Sequence, residues 1–358
     1  RRCEISHISY KVLKYNTAYN FYDVDFLSAL ETREQIREWA IEEKITFFHS
    51  VQLNIAVEMV ARELQIPHLM NIYQLQPDEF KIMYGDLYPQ YHLCDSEMYS
   101  NLWSNKLGIE SKCIRPVAPL NQIEKKDGYS LDDFTIVMLG AVCDRKNQLT
   151  AIKAVEKCIK KYNFRLIIAG NAEGRYANLC KNYVKENGLE NKIQFLGFVK
   201  DISNILLQSE CLLCTSLDES FPSSIVEAVT HDLTIVTTPV AGVPEVFRNG
   251  YNSFVSKDFK LDSICESLVE CLESYKNGNI TRIHLNEELT WKENFAPNTV
   301  RKQIEQYYKE IIGRFVSKEN VNLFYRSSRK DLLGSFNIFK LSFCNSVTNL
   351  LVYFSSPL

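Results

Sequence analysis

The most constraining feature of this sequence is a regular alternation of short apolar runs with helical segments, which begins at about Phe134. Six of the runs have the length of buried strands, and they read FTIVMLG, FRLIIAG, KIQFLG, ECLLCTS, LTIVTT and YNSFV. Between them lie segments with helical spacing, such as the one that places Leu149, Ile152, Val155 and Ile159 on one face. This alternation predicts a parallel sheet of six strands with helices on both faces, the size of one Rossmann-like domain.

The first 118 residues also alternate between strand and helix patterns, but they contain only about three or four strands. We therefore expect a chain of two α/β domains, of which the first is incomplete. The chain opens at Arg1 without an initiator methionine, which is typical of a fragment. The predicted boundaries are 1–121 for the first domain, 122–296 for the second, 297–316 for a terminal helix and 317–358 for a tail without assignment.

Charge and hydropathy exclude two classes of partner. The formal net charge of -3 argues against a nucleic-acid binder held by bulk electrostatics. The apolar run LLGSFNIFKLSFCNSVTNLLVYF near the end contains Lys340 and two asparagines, so it falls short of a membrane span. We expect a cytoplasmic protein, with peripheral association at the inner membrane face left open.

The cysteines are scattered singly, mostly within apolar runs, where a reduced thiol behaves as a small hydrophobe. Cys211 and Cys214 form a CxxC, but they lie in a predicted strand, where residues three apart point to opposite faces. Partner ligands are also missing, so we predict neither a metal site nor a redox site there.

Two glutamates eight residues apart indicate a site for a polar ligand. Glu219 lies on the loop after the strand ECLLCTS, and Glu227 lies in the following helix, which starts near Pro222. The amides of the first helical turn, around Ser223 and Ser224, point to the same edge of the sheet. Amides suit an anion and carboxylates suit hydroxyl groups, so the arrangement favours a phosphate-containing ligand with hydroxyls on either side.

Other loops after strands carry matching chemistry. Gly140 ends the first strand of this domain and is followed by Arg145 and Lys146, cations that can neutralise a diphosphate. Phe198, after the third strand, begins a segment that could contact a base. A turn with Gly242 follows the fifth strand. A GxGxxG motif is absent from the sequence, which disfavours a dinucleotide cofactor.

Together these motifs resemble the retaining glycosyltransferases of GT-B fold grouped as family four. The resemblance is close over residues 134–315 and looser before them. It implies that Glu219 binds the hydroxyls of the donor sugar and that Glu227 holds the ribose of the nucleotide. It also implies that Lys146 neutralises the leaving nucleotide. Arg145, at a different backbone position, is a candidate for a second cation that the resemblance itself does not supply. The donor-binding set is completed by Gly140, Phe198, Ser220, Phe221, Pro222 and Ser223.

The sequence departs from the family pattern at several positions. Ala141 stands where the family usually has an arginine, and Ala241 replaces the first glycine of a GGxPE turn. Tyr73, with Asn71 beside it, is the nearest match to a histidine that the family often has at the end of the strand starting at Pro67. His49 is a second choice for that histidine. The family's opening strand and glycine-rich loop would precede Arg1.

The expected function is transfer of a sugar from a nucleotide-diphosphate donor to a hydroxyl acceptor, such as a glycan, a polysaccharide or a lipid-linked sugar, with retention of anomeric configuration. The resemblance implies no metal and no cofactor besides the donor substrate. Two alternatives stay open. One is a non-catalytic homologue that binds a nucleotide sugar or serves as a partner subunit, and the other, disfavoured by the motif ESFPSSIVEA, is a nucleotide-sugar epimerase.

Overall fold

The structure is a computed structural model, and it describes residues 26–51, 55–73, 87–118, 134–318 and 352–353. The chain forms two compact units. The first unit comprises Arg1–Ile114 and Arg301–Leu358, and the second comprises Arg115–Val300. The predicted domain boundary between residues 121 and 122 and the expected truncation at Arg1 lie outside the described residues.

The first unit is built on a mainly parallel sheet. Its elements up to residue 114 are α1 (Phe26–Glu42), β1 (Phe48–Val51), α2 (Ile55–Leu64), β2 (His68–Asn71), β3 (Tyr91–Cys94), α3 (Glu97–Leu107) and β4 (Glu110–Cys113). Strands β1 to β4 are parallel and lie side by side in chain order. Ser96 caps α3 through its side chain and Gly108 ends the helix in a left-handed conformation, as capping rules require.

The second unit has a six-stranded parallel sheet with helices on both faces. Its strands are β5 (Thr135–Leu139), β6 (Arg165–Ala169), β7 (Ile193–Gly197), β8 (Cys211–Cys214), β9 (Thr234–Thr237) and β10 (Phe254–Val255). Its helices are α4 (Gln148–Cys158), α5 (Arg175–Glu186), α6 (Ser203–Leu207), α7 (Ser223–Val229), α8 (Val243–Val246), α9 (Leu261–Lys276) and α10 (Ile280–Asn294). A 3₁₀ turn, Asp144–Lys146, precedes α4.

The strand order of this sheet is β10-β9-β8-β5-β6-β7. The chain therefore runs outward from β5 in one direction through β6 and β7, and then returns to the other side of β5 with β8. In open α/β sheets the loops that follow the two strands at such a reversal diverge and leave a crevice between them. The loops after β5 and β8 occupy that position here.

The core of the second unit lies on both faces of the sheet. Ile152 and Val155 of α4 pack on one face, together with Leu268 of α9, and Ile225 of α7 packs on the other. All four are fully buried, which stabilises the fold by about 1.5–3 kcal/mol for each such side chain. Cys211 and Cys214 belong to opposite faces, as their spacing predicts.

The last described elements are α11 (Pro297–Lys318) and β11 (Val352–Tyr353), which pairs antiparallel with β1. The predicted terminal helix is thus present and two residues longer than expected. Strand β11 falls within the tail to which the sequence assigned nothing, and neither β4 nor α9 was predicted. The expectation of two Rossmann-like α/β domains is confirmed.

Candidate donor-binding site

The loops after β5 and β8 are tied to each other at the reversal of strand order. The backbone N–H of Leu217 donates to the carbonyl of Arg145 at 2.8 Å. The hydroxyl of Thr215 donates to the carbonyl of Lys146 at 3.0 Å, and the guanidinium of Arg145 donates to the carbonyl of Asp218 at 2.8 Å. These bonds hold two loops in a fixed relative position. They are the basic loop after β5, which carries Arg145 and Lys146, and the acidic loop after β8, which carries Glu219.

An ion cluster of three predicted residues lies between these loops. The carboxylate atom Oε1 of Glu219 lies 2.6 Å from Nζ of Lys146 and 2.5 Å from Nη1 of Arg145. The Glu219 side chain is 7% exposed, against 13% for Lys146 and 39% for Arg145. One carboxylate between two cations leaves a formal charge of +1, and low exposure strengthens the field of that charge. The cluster can therefore attract an anion such as a diphosphate.

Gly140 provides the space through which Lys146 reaches the cluster. Its φ is +119°, a conformation that side chains rarely adopt. A Cβ at this position would lie 3.3 Å from Cε of Lys146. The neighbouring loop is tighter still, because a Cβ on Gly170 would lie 1.9 Å from the carbonyl oxygen of Gly140. Glycine at both positions is thus a condition for this arrangement of the lysine.

Gln148 braces the basic loop and was not predicted from the sequence. This side chain is 1% exposed. Its amide nitrogen donates to the carbonyl of Ala141 at 2.9 Å, and its amide oxygen accepts from the N–H of Cys143 at 3.2 Å. Thr215 was missed for a similar reason: both residues act through backbone groups, and a polar residue at a helix start or strand end carries no other signal in the sequence.

Helix α7 presents a narrow open face beside the cluster. Most of its side chains are buried, whereas Ser223 is exposed and Glu227, one turn later, is partly exposed. These two positions share a face because residues four apart are neighbours on a helix. The ring of Phe221 is 6% exposed and packs in the core, so only its backbone can meet a ligand. Pro222 is the N-cap residue and has no N–H to donate.

The dipole of α7 contributes less than the sequence suggested. The helix has seven residues, so few aligned peptide units add to its field. The first amides of any helix nevertheless lack an intrahelical partner and are suited to bind an anion. We therefore attribute anion attraction here chiefly to the ion cluster and to individual amides.

Phe198 lies apart from the cluster. It follows β7, an edge strand of the second unit's sheet, and β6 lies between β7 and β5. Its side chain is 81% exposed. The N–H of Gly170 donates to the carbonyl of Gly197 at 2.8 Å, which links this end of β7 to the loop beside Gly140. The structure gives Phe198 no contact with Glu219, so its predicted role in nucleotide binding stays a prediction.

The turn after β9 contains one departure from the family pattern, Ala241. Ala241 has a φ of +37°, in the left-handed region where glycine is favoured. The N–H of Gly242 then donates to the carbonyl of Ser220 at 3.2 Å, so this turn touches the acidic loop. The alanine is accommodated in a conformation that strains it.

The histidine candidates of the first unit are buried in hydrogen-bond networks. His49 lies 2.7 Å from the amide oxygen of Asn71 and 2.6 Å from the hydroxyl of Tyr308, and Asn71 donates to Tyr73 at 2.9 Å. Burial lowers the pKa of His49 to about 4 and raises the pKa of Tyr73 to about 12. His49 and Tyr73 are therefore neutral at pH 7.

His68 is held between Glu58 and Ser50, at 2.8 and 2.7 Å. Ser50 is fully buried, so its hydroxyl is closed to a substrate even though the three residues have the partners of a hydrolase triad.

The described residues contain no group of three His, Cys, Asp or Glu side chains arranged to hold a metal ion. Nor does any helix in the described part of the chain have the length and apolar character needed to cross a membrane. No disulfide joins the cysteines within the described ranges.

Comparisons with known proteins show a sequence match that covers most of the second unit. Residues 121–285 match the family model described as glycosyl transferases group 1. A segment of 154 residues, 42% of this chain, is 27% identical to a putative glycosyltransferase, EpsD, of Bacillus subtilis, of which it covers 40%. A segment of 144 residues, 39% of this chain, is 28% identical to the GPI3 subunit of phosphatidylinositol N-acetylglucosaminyltransferase from Saccharomyces cerevisiae, of which it covers 31%. The matches thus span less than half the length of these relatives.

Solved structures show the same fold over most of the chain. The crystal structure of a glycosyltransferase from Rickettsia africae superimposes with a TM-score of 0.71 at 16% identity, covering 87% of both chains. The Anabaena protein Alr3699/HepE in complex with UDP gives a TM-score of 0.65 at 16% identity, covering 80% of this chain and 84% of that one. Residues 121–285 are thus similar in sequence to the glycosyl transferases group 1, and the chain shares the fold of these solved structures.

Proposed function

We propose that this protein transfers a sugar from a nucleoside diphosphate sugar to a hydroxyl acceptor, with retention of configuration at the anomeric carbon. One observation carries the proposal: Glu219 lies between Lys146 and Arg145 at the strand reversal of the second unit. A sugar nucleotide needs cations for its diphosphate and a carboxylate for the sugar hydroxyls beside it, and this cluster supplies both.

Donor binding would redistribute the contacts of the cluster. The diphosphate oxygens compete with Glu219 for Lys146 and Arg145, which frees the carboxylate to accept hydrogen bonds from the sugar. As the bond to the sugar breaks, negative charge grows on the departing diphosphate. Lys146, the less exposed cation, stabilises that charge more than it stabilises the bound donor, so it lowers the barrier. The mechanism requires neither a protein nucleophile nor a metal.

In this proposal, Glu227 would hold the nucleotide. It lies one turn along the open face of α7 from Ser223, whose N–H belongs to the first turn of the helix. A ligand with its phosphate at the start of α7 therefore extends its ribose toward Glu227. The carboxylate can accept hydrogen bonds from both ribose hydroxyls. The free nucleotide would make these bonds as well as the donor, because both contain the ribose.

UDP is the nucleotide to test first. HepE and the pneumococcal O-GlcNAc transferase GtfA, which shares the fold with a TM-score of 0.61, have structures in complex with UDP. The names of relatives mention phosphatidylinositol, L-malate and a diphosphoundecaprenol-linked sugar. Because these compounds differ so widely, the proposal extends to a hydroxyl acceptor and no further. We place the reaction in the cytoplasm, where the cysteines stay reduced, and propose that a lipid-linked acceptor would be reached at the inner membrane face.

A second candidate function is binding of a nucleotide sugar without turnover, in the role of a partner to another enzyme. Two observations favour it. Ala141 supplies no cation where the family has an arginine, and Tyr73 stands where the family often has a histidine. The Arg145 guanidinium compensates for part of the first change, since it reaches the cluster from another backbone position.

Glu219→Gln separates these functions. The amide still fills the space but no longer competes for the two cations, so UDP should bind as tightly as in the parent or more tightly. Transfer from UDP-sugars should fall sharply because the sugar loses its carboxylate contact. Calorimetry and a release assay for UDP measure the two effects, and proton NMR of the product gives the anomeric configuration. Parent-level transfer by Glu219→Gln would refute the proposed role, and an absolute need for a divalent metal, tested with EDTA, would refute the mechanism.

A further inference from the structure

Arg115 is the first residue of the second unit, and it contacts two loops of the candidate site. Its side chain is 9% exposed. The guanidinium forms an ion pair with the carboxylate of Glu245 and lies 5.4 Å from the centroid of the Phe221 ring. Arg115 was not predicted from the sequence, because its only signal is a single charge within the apolar run CIRPVAPL.

The two partners of Arg115 belong to neighbouring loops. Phe221 lies between β8 and α7, in the loop that carries Glu219, and Glu245 lies in α8, which follows β9. Because β8 and β9 are paired, their loops leave the same edge side by side. The bond from the N–H of Gly242 to the carbonyl of Ser220 joins the loops directly, and Arg115 joins them a second time through side chains.

The contact between Arg115 and the Phe221 ring helps to fix the acidic loop, which carries Glu219. The Phe221 ring also packs against Phe295, at 5.6 Å between centroids, and against Phe247, at 6.5 Å. A ring fixed on several sides fixes the backbone that carries it. Glu219 lies two residues before that ring and Ser223 two residues after it, so the orientation of both depends on how firmly Phe221 is held.

Hydrogen bonds fix the backbone segment that begins with Arg115. The indole N–H of Trp291 donates to the carbonyl of Ala118 at 2.6 Å, and the N–H of Ala118 donates to the carbonyl of Phe295 at 2.9 Å. These bonds fasten the segment 115–118 to the end of α10. Arg115 thus connects this fixed segment to both loops.

We infer that Arg115 is a positioning residue for the donor diphosphate, acting through Phe221 and Glu245 on the segment 219–223. The inference rests on the proposed function, because it assigns Arg115 to the same donor site. The guanidinium is already engaged with Glu245, so it acts by holding the loops rather than by contacting the ligand.

The test is calorimetric titration of UDP into the full chain and its variants. In Arg115→Met the loops lose their common side-chain anchor, and UDP affinity should fall about tenfold, the size of coupling seen between contacting residues. Arg115→Lys keeps a cation near Glu245 and should recover part of that loss. Arg165→Met is the matched control: Arg165 donates to Thr135 at the amino-terminal ends of β5 and β6, the opposite edge of the same sheet.

Hydrogen exchange supplies a readout that needs no ligand. Amides of 219–224 should exchange faster in Arg115→Met, while those of β5 should exchange as in the parent. If Arg115→Met fails to fold, Glu245→Gln decides the matter, because it weakens the same ion pair with a smaller change. Folded variants with parent affinity for UDP and parent exchange at 219–224 would overturn the inference alone. A parent chain that binds none of UDP, GDP and ADP would overturn the proposed function, and the donor-positioning role with it.

Discussion

The two sheets of this protein are both built from alternating strands and helices, but they differ in strand order. In the first unit β1 to β4 follow one another across the sheet without a reversal among the described parallel strands. In the second unit the order reverses between β5 and β8, and the ion cluster lies at that reversal. Alternation alone therefore makes the fold, whereas the reversal opens the crevice in which loop residues can meet a ligand.

The carboxyl ends of the strands differ in charge as well. In the second unit Lys146, Arg145 and Glu219 carry a formal excess of one positive charge. In the first unit, His49 within β1 and Asn71 at the end of β2 form a neutral network that extends to Tyr308 of α11. A charged, partly open edge suits an anionic donor. The neutral, buried network around His49 instead stabilises its own unit.

Replacing Lys146 should produce the largest effect. Lys146→Met removes the cation that stabilises the departing diphosphate, so kcat should fall about 10²–10³-fold, with a smaller loss in donor binding. Steady-state kinetics with a UDP-sugar measure both terms. Lys153→Met, on the neighbouring helix α4, is the control, and its rate should equal that of the parent. A loss confined to KM would mean that Lys146 binds the ground state only.

Acid should destabilise the first unit through the neutral network around His49. Burial lowers the pKa of His49 to about 4 from an ordinary value of 6.5. Between these pH values the unfolded chain binds a proton that the folded chain does not, so the free energy of unfolding decreases as the pH falls through this window. The loss from this group approaches about 3 kcal/mol near pH 4.

Urea unfolding at pH 7 and pH 4.5 measures this effect. His49→Gln should reduce the pH dependence of the first unit, and His231→Gln, at a partly buried histidine of the second unit, should leave it as in the parent. An unchanged pH dependence in His49→Gln would show that other groups dominate the acid response.

Glu227→Gln tests how far the site extends along α7. Loss of a charged acceptor for the ribose should weaken binding of UDP and of UDP-sugars alike, by about 1.5–3 kcal/mol. Calorimetry on the folded variant gives both affinities. Equal affinity in parent and variant would restrict the donor site to the loops.

Most strands and helices of the fold were predictable because buried strands and amphipathic helices leave strong periodic patterns in the sequence. Other elements were not predicted. The strand β4, ESKC, has no apolar alternation. Helix α9 does have a regular apolar stripe, which includes Ile264, Leu268 and Leu272, so its pattern was present in the sequence. The pairing of β11 with β1 joins residues about 300 positions apart, a contact that local pattern does not encode.

The candidate site was predictable to a similar degree. Glu219, Lys146 and Arg145 follow strands in the sequence, and the structure brings all three into contact. Gln148 and Thr215 act on backbone carbonyls and left no signal. Arg115 lies 130 residues from its partner Glu245, so only the folded chain reveals the pair.

Ala241→Gly should give the smallest effect, and it should be favourable. Alanine at a φ of +37° is strained by about 1 kcal/mol, which glycine relieves, although the glycine also makes the unfolded chain more flexible. We expect a net gain of about 0.5 kcal/mol in the free energy of unfolding of the second unit. Denaturant unfolding measures it, and a loss of stability would mean that the turn depends on the alanine methyl group.

The most direct test of the central claim is the affinity of the full chain for UDP, measured by calorimetry in the parent and in two variants. The account predicts that Lys146→Met, at the strand reversal of the second unit, binds UDP more weakly than the parent. It also predicts that His49→Gln, in the neutral network of the first unit, binds UDP with the same affinity as the parent at pH 7. Parent affinity in Lys146→Met together with lost affinity in a folded His49→Gln would contradict the account.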